Sequence, residues 1–433
     1  MLFETQKQNL VKAVERIHEV ATKGIRPEFK RAGLLTMSVA DGQVTFLTTN
    51  GYLELRCTLD GDSEGGLQCG ESATPVTVET DVFLGVLKSL GGAKANEHVI
   101  RVSVEDGGSI IVKDCTTRRK KTAEAKIIAK TTHHTLSFSK PKAAKDQCSF
   151  SWDLFEEGMT TVGRYMSNFA NRQQFRMLCI DILPEEMRFV CGDGVRFAIL
   201  SYPLEKSTTK SKAGTRYLLP VEQLLVLKKV FQGSDEIEFV FRDPQNCYVS
   251  SSNLRCEAFI KAIPQQKFIS YERQMERVGE AVAIIDLKRA DFQEGVELAL
   301  SVRDTDSEEE GGNSTHSVEM RFSESGELDA KVDEGKYRCK YSCPIDFYRL
   351  ADVPEYIGKY AWTYLNDIVR GANTEYIRFY ITPVDREERK AEMLLVDLAE
   401  LDSDADERGV PKLKDCGRRL LFFAASTAEM AKA

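Results

Sequence analysis

His133 and His134, with Cys115 upstream and Cys148 downstream, are the residue types from which this chain could build a metal site. Structural zinc needs its four ligands in short paired spacings, and these four match no such pattern. What remains is a histidine pair on the surface of a strand. Cys339 and Cys343 stand four apart, and in a strand both face one side as core or surface thiols. The acidic run Asp304 to Glu310 has the charge of a calcium loop without its ordered ligand spacing. The glycine pairs at 91, 107 and 311 read as turns. No GxxxxGK(S/T), HExxH or GxSxG motif occurs. Five histidines are a thin supply for acid–base work. No catalytic constellation emerges, and no cofactor or metal is expected.

The other candidate chemistry is phosphate contact. From Gln6 to Thr22 the pattern is helical, with Leu10, Val14, Ile17 and Ala21 on one face. Lys12, Arg16 and Lys23 fall opposite, with Glu19 among them. Such a stripe is a solvated face unless something anionic lies against it. The formal net charge is −8. Proteins that grip nucleic acid through many phosphates are usually basic overall. This chain therefore avoids nucleic acid or meets it through a confined surface. Hydrophobic residues at 42% and charged residues at 29% suit a soluble globular protein. No apolar run approaches membrane-spanning length, and MLFETQKQNL lacks the basic and apolar regions of a signal peptide. Eleven scattered cysteines suit free thiols in a reducing cytoplasm.

The elements that carry these residues repeat. The turns Asn50-Gly51, Asp193-Gly194 and Glu334-Gly335 each lie between alternating apolar runs, offset by about 140 residues, a period that means similar domains rather than a solenoid. Upstream of each lies a longer helix: Gln6 to Thr22, Trp152 to Ser167 and Leu287 to Val302. Downstream lies a shorter one: Thr80 to Leu90, Pro220 to Phe231 and Thr363 to Gly371. A strand then follows: Ile100 to Val104, Ile237 to Phe241 and Tyr376 to Ile381. The fold class is α+β, with three tandem similar domains at 1–140, 148–275 and 280–433. Residues 60 to 73 read as a loop, SKPKAAKDQ as a first linker and Gln274 to Glu280 as a second. The third repeat adds an acidic, mobile loop from Arg303 to Ser314, extra length from Cys343 to Gly358, and an acidic stretch from Asp402 to Arg408.

CGDGVRFAIL, residues 191 to 200, resembles the Thr-Asp-Gly-His-Arg-Leu-Ala type motif of the bacterial DNA polymerase III beta subunit, the sliding clamp. Asp193, Gly194, Arg196 and Ala198 agree, while Gly192, Val195 and Phe197 replace Thr, His and Leu. Asn171-Arg172 and Phe175 fall where that family has a loop and an apolar pocket residue. RYLLPVEQLLVLKKVF is similar to its middle-domain strand and helix. FIKAIPQQKFI is similar to the run ending that domain, and YLNDIVRGANTEYIRFYIT to a helix and strand of the third. The ending departs: LLFFAAS, Leu420 to Ser426, replaces a Met-Pro-Met-Arg type strand. With the inserts, this marks a divergent or viral member.

The resemblance implies a processivity factor rather than an enzyme. It implies a head-to-tail homodimer ring around double-stranded DNA, with helices inside and sheets outside. DNA-facing residues would be Lys12, Arg16, Lys23, Lys88, Arg172, Lys228, Lys229, Lys288 and Arg370. A pocket for partner peptides would be walled by Phe175, Gly194, Val195, Arg196, Phe197, Pro264, Ile269, Leu421 and Phe423. Val86 and Leu90 would meet Leu298 and Leu300 at the dimer contact. Implied partners are the replicative polymerase and a clamp loader, in the cytoplasm at the nucleoid, with no membrane. Two other readings are a nucleic-acid-acting enzyme with a basic groove, and a repeat-based structural assembly protein.

Overall fold

The computed structural model describes all of the chain except residues 27–28, 30–31, 62–65, 72, 91–97, 106–107, 117–122, 132–145, 166–174, 195, 204–214, 244–245, 262–267, 269, 302–316, 335–336, 352–354, 383–392, 398–399, 415–418 and 426–433. Its helices are α1 (Lys7–Thr22), α2 (Thr80–Ser89), α3 (Trp152–Val162), α4 (Val221–Val230), α5 (Tyr271–Glu276), α6 (Arg289–Ser301) and α7 (Trp362–Gly371). α1 buries Leu10, Ala13, Val14, Ile17, Val20 and Ala21, the spacing that lays one helix face on a core. Gly24, at φ 57°, follows it in the left-handed region that glycine enters at little cost. Among the described residues, no helix is long and apolar enough to cross a membrane.

The chain forms two compact units. Unit 1 is Met1–Glu157 with Lys206–Gln265, and unit 2 is Gly158–Glu205 with Gln266–Ala433. In unit 1 a five-stranded sheet runs Gln68–Cys69, Phe3–Gln6, Val99–Glu105, Ser109–Asp114, Glu124–Ile128. An eight-stranded sheet runs Asp146–Ser151, Glu236–Asp243, Asn246–Ser251, Cys256–Lys261, Leu53–Leu59, Gln43–Thr49, Leu34–Ala40, Ala73–Glu79. In unit 2 one sheet includes, in order, Met177–Ile182, Glu186–Gly192, Arg196–Pro203, Arg419–Ala425, Met393–Asp397, Tyr376–Ile381, Ala283–Lys288, Asp346–Arg349. A four-stranded sheet runs Tyr337–Pro344, Glu327–Glu334, Ser317–Ser323, Glu355–Ala361. Asn50-Gly51 and Asp193-Gly194 lie between paired antiparallel strands, as their residue types require, while Gly335 of the third dipeptide lies outside the described residues.

The large sheets cross the sequence repeats. In unit 1, Leu53–Leu59 of the first repeat pairs antiparallel with Cys256–Lys261 of the second, with Leu55 opposite Ala258 and Cys57 opposite Cys256. In unit 2, Arg196–Pro203 of the second repeat pairs with Arg419–Ala425 of the third, with Ile199 opposite Leu421. Each seam joins the last meander strand of one repeat to the last strand of the next. Glu124–Ile128 and Tyr337–Pro344 hold the same two places in the remaining sheets. Among the described residues each ends its sheet, with no strand on its outer side. The division into three domains is separate from these compact units and rests on the repeat.

Several local expectations need correction. The stretch expected to be a loop from 60 to 73 contains Gln68–Cys69, paired with Phe3 and Glu4, and its end opens the strand Ala73–Glu79. The expected first linker ends inside the strand Asp146–Ser151. The expected second linker is helical: α5 runs into a 3-10 turn, Arg277–Glu280, and buried Tyr271 donates its hydroxyl to Asp181. α3 stops at Val162, followed by a 3-10 turn to Tyr165, rather than reaching Ser167 as a helix; glycines at 158 and 163 weaken it. α6 begins at Arg289 because Leu287 and Lys288 finish a strand against Ile377 and Tyr376.

The inserts of the third repeat are partly structured. Asp346–Arg349 pairs with Ala283–Asp286, and the acidic stretch forms a hairpin of Leu401–Ala405 and Pro411–Leu413. Arg378 fastens that hairpin. Its guanidinium donates to both oxygens of fully buried Asp286 at 2.7 Å and to the Pro411 carbonyl at 2.8 Å. The loop expected from Arg303 to Ser314 and the His133-His134 pair lie outside the described residues.

Candidate nucleic-acid interface and partner cleft

The basic residues of unit 1 come together because three helices do. α1 packs against both α2 and α4. Lys7, buried at the start of α1, caps the C-terminal end of α2, donating to the Lys88 carbonyl at 3.3 Å and to the Leu90 carbonyl. An ammonium at the carbonyl end of a helix is favoured by the helix dipole. His18 bonds Asp81 of α2 at 2.7 Å. Arg16 donates from Nε to the Val230 carbonyl, the last residue of α4, at 3.0 Å. This layer brings together six of the expected DNA-facing residues: Lys12, Arg16 and Lys23 on or just after α1, Lys88 on α2, and Lys228 and Lys229 on α4. Lys88 extends to Glu15 at 2.9 Å, Lys228 to Glu156 at 2.9 Å and Lys23 to Glu19 at 3.6 Å. Exposed pairs of this kind hold their geometry weakly and dilute the positive field without abolishing it. Lys288, ending a strand, and Arg370, on α7, are exposed in unit 2, where α6 presents Glu294 and Glu297 to solvent. Arg172 lies outside the described residues.

The expected cleft residues gather partly in unit 2. Gly194 is exposed at φ 94°, the left-handed position of its turn. Arg196 is held on all sides. Its backbone N–H donates to Asp193 Oδ1 at 3.0 Å, its Nε to Asp193 Oδ2 at 3.0 Å, and its Nη1 to Asp367. Its guanidinium carbon stands 4.6 Å from the ring centre of Tyr364 and 5.3 Å from that of Tyr165. Burial pulls the guanidinium's pKa down, but Asp367 and Asp193 outweigh it and leave it above the usual value. Burial lifts the Asp367 carboxyl above the ordinary carboxylate range, with Arg196 pulling it partly back. Arg196 is thus a braced cation rather than a free polar edge. Phe175 is half-buried, while Phe197 and Leu421 are buried within the unit itself. Val195, Pro264 and Ile269 are not described, and of Phe423 only the backbone is, opposite Phe197.

Of the expected dimer residues, Val86 on α2 and Leu300 on α6 are half-buried and Leu298 is exposed. Leu90 is only 6% exposed and sits against the Lys7 cap, so it belongs first to the core of unit 1. Sequence reasoning missed three features here. Tyr165, Tyr364 and Asp367 cage Arg196 from remote positions, with no local motif to mark them. Ile128, on the strand Glu124–Ile128 that ends its sheet among the described residues, is 77% exposed and was visible only as one apolar residue in a basic region. Val82, one α2 turn before Val86, is also exposed. No group of three or more metal-ligating side chains occurs among the described residues.

No protein-family model and no curated protein sequence matches the chain. Solved structures match it from end to end. The DNA polymerase III subunit beta of Pseudomonas aeruginosa is 15% identical at TM-score 0.73, covering 99% of this chain and 100% of that one. The DNA polymerase sliding clamp of Bacillus subtilis is 12% identical at TM-score 0.74, covering 98% of both chains. The DNA polymerase III beta chain of Streptococcus pneumoniae is 13% identical at TM-score 0.73, covering 98% and 99%. The chain therefore has the fold of the DNA polymerase III beta sliding clamps, over its whole length.

Proposed function

We propose that this protein is a DNA sliding clamp: a processivity factor that closes around duplex DNA as a ring of two copies and tethers the replicative polymerase and other DNA-processing proteins. The observation that carries the reading is the end-to-end likeness to sliding clamps. The repeats of the chain, 1–140, 148–275 and 280–433, would then be its three domains.

The seams support the ring. Repeating the step that joins Leu53–Leu59 to Cys256–Lys261, and Arg196–Pro203 to Arg419–Ala425, sets Tyr337–Pro344 against Glu124–Ile128 of a second copy. The helices follow the same step. α1 of the first repeat packs on α4 of the second, so α6 of the third falls on α2 of the other copy. That brings Val82 and Val86 toward Leu298 and Leu300. A head-to-tail contact of this kind closes after two copies when each spans half a turn.

A ring on DNA needs little affinity, since topology holds it. The partly neutralised cations of α1, α2 and α4 suit sliding better than a dense basic patch, because tight phosphate contacts and base readout both oppose it. The protein acts as a tether and uses no cofactor. In the cytoplasm, at the nucleoid, it would depend on a clamp loader to open it. Partner peptides dock beside the Gly194 turn, with Phe175 as an apolar wall.

The test is mass and topology together. Native mass should be about 97 kDa, twice the 48.7 kDa chain. Loaded protein should stay on closed circular DNA and run off linear DNA. Changing Lys12, Arg16 and Lys23 together to Glu should lower retention and leave the dimer intact. Equal retention on linear and circular DNA would reject encirclement. A monomer at micromolar concentration would reject the ring. Leu298→Lys is the cleaner interface variant, since Leu90→Lys would also strike the core of unit 1.

A further inference from the structure

Cys57 and Cys256 face each other across the unit 1 seam, 3.0 Å apart at their sulfurs. Their place in the ladder suits a bond. The neighbouring Thr58 N–H donates to the Arg255 carbonyl at 3.1 Å, which makes Cys57 and Cys256 a non-hydrogen-bonded pair. Opposed residues of that kind have Cα atoms about 4.5 Å apart, inside the span of roughly 4.4–6.8 Å that a disulfide bridges. The sulfurs need only approach by about 1 Å to reach bonding distance.

We propose that Cys57 and Cys256 are a thiol pair that oxidises reversibly to a disulfide, bolting the first repeat to the second within unit 1. The oxidant is a low-molecular-weight disulfide. One cysteine loses its proton and its sulfur attacks the small disulfide, forming a mixed disulfide and releasing one small thiol. The other cysteine then loses its proton, its sulfur attacks the protein sulfur of the mixed disulfide, and the second small thiol leaves. One external disulfide becomes two thiols, and the protein loses two hydrogens.

Two features set the conditions. Both thiols are buried, at 2% and 1% exposure, and burial is the largest cause holding the Cys57 thiol well above its usual pKa. Oxidation is therefore slow at neutral pH and faster as pH rises, because the thiolate is the attacking species. Access comes from the end of the ladder. The paired register stops at this pair, and Arg255 beside it is left-handed at φ 50°. Fraying of this end exposes the sulfurs without opening the rest of the sheet.

The experiment equilibrates the full chain in buffers of rising oxidised-to-reduced glutathione ratio at pH 8.5, quenches in acid and maps peptides by mass. The expected product is a peptide pair joined through Cys57 and Cys256, in a protein two hydrogens lighter. Its melting temperature should be several degrees higher, since the bond closes a long loop in the unfolded chain, and reductant should reverse the rise. Cys57→Ala and Cys256→Ala should each lose both the mass change and the rise. Should either variant fail to fold, the peptide map of the parent decides alone. Absence of the joined pair at ratios that oxidise other cysteines overturns the proposal. So does an equal thermal shift in the parent and both variants.

Discussion

The turns at Asn50-Gly51 and Asp193-Gly194 are the same piece of chain used twice, and they end differently. Both glycines are left-handed, at φ 93° and 94°. In both, the residue before glycine accepts from the backbone N–H three positions on: Leu53 to Asn50 at 2.8 Å, and Arg196 to Asp193 at 3.0 Å. Beyond that the chemistry diverges. Asn50 is fully buried, and its amide donates to Gln223 Oε1 and the Lys23 carbonyl, each at 3.0 Å. A Cβ on Gly51 would stand 2.9 Å from Arg26 Cβ and 3.2 Å from Phe29 Cβ, so the chain itself covers this turn. At the second turn a charged cage replaces the amide clamp, and Gly194 stays exposed. A neutral clamp seals one turn, while an ionic cage stiffens the other with Gly194 exposed. Under the proposed function, the second would be the one that receives a partner.

The largest effect should come from opening the cage. Arg196→Ala leaves Asp193 and Asp367 without their shared cation, and removing one partner of a buried pair costs about 4 kcal/mol. Urea unfolding followed by circular dichroism should show it, and a loss below about 1 kcal/mol would mean that the cage is not stabilising. Gly51→Val combines left-handed strain with a clash against Arg26 and Phe29 and should cost about 3 kcal/mol. Gly194→Ala introduces left-handed strain at φ 94°, about 1 kcal/mol. If these two glycine variants prove equally unstable, the contrast between a covered and an open turn is lost. Gln223→Ala, which deprives the buried Asn50 amide of one acceptor, should cost about 1 kcal/mol, detectable as a shifted urea midpoint.

The smallest effect is in pH, and the two units should respond with opposite sign. Asp114 in unit 1 is buried, which alone would raise it, yet bonds from Thr116 and His98 hold it below its usual value of 3.8. Its contribution is present above that value and is lost as pH falls through the lower folded value. Asp367 in unit 2 is raised from 3.8 by burial. Its contribution is full below that value and is lost as pH rises through the higher folded one. Asp114→Asn should remove part of the acid sensitivity of unit 1. Asp367→Asn should remove the decline of unit 2 above pH 4. Hydrogen exchange resolved by peptide can read both, and changes of the same sign would contradict the assignment.

Much of the fold was legible because its signals are local. Asn-Gly and Asp-Gly fix tight turns, and the period of Leu10, Val14 and Ile17 fixes α1. The seams were not legible, since Arg56 and Glu257 meet across 201 residues and nothing in either strand names the other. α5 was hidden for a related reason: YERQME is charged enough to pass for a linker, and what fixes Tyr271 is a carboxylate 90 residues upstream. In the candidate site, Arg196 and Gly194 carried a motif, while the rings and carboxylate that brace Arg196 sit on elements chosen by packing. Leu90 shows the converse: an apolar helix end reads equally as interface or as core, and only the Lys7 cap decides it.

Two unlike strands, each the last of its sheet among the described residues, also carry a hazard. Under the proposed ring, Glu124–Ile128 would receive a strand and Tyr337–Pro344 would offer one, so copies would add head to tail. Such addition either closes on itself or goes on growing. Closure depends on the angle that each copy contributes, and the angle depends on how rigidly the internal seams are held. A variant that loosens a seam without blocking either edge would yield open filaments rather than monomers. In electron micrographs these would be threads of indefinite length, seeded wherever Ile128 is left uncovered.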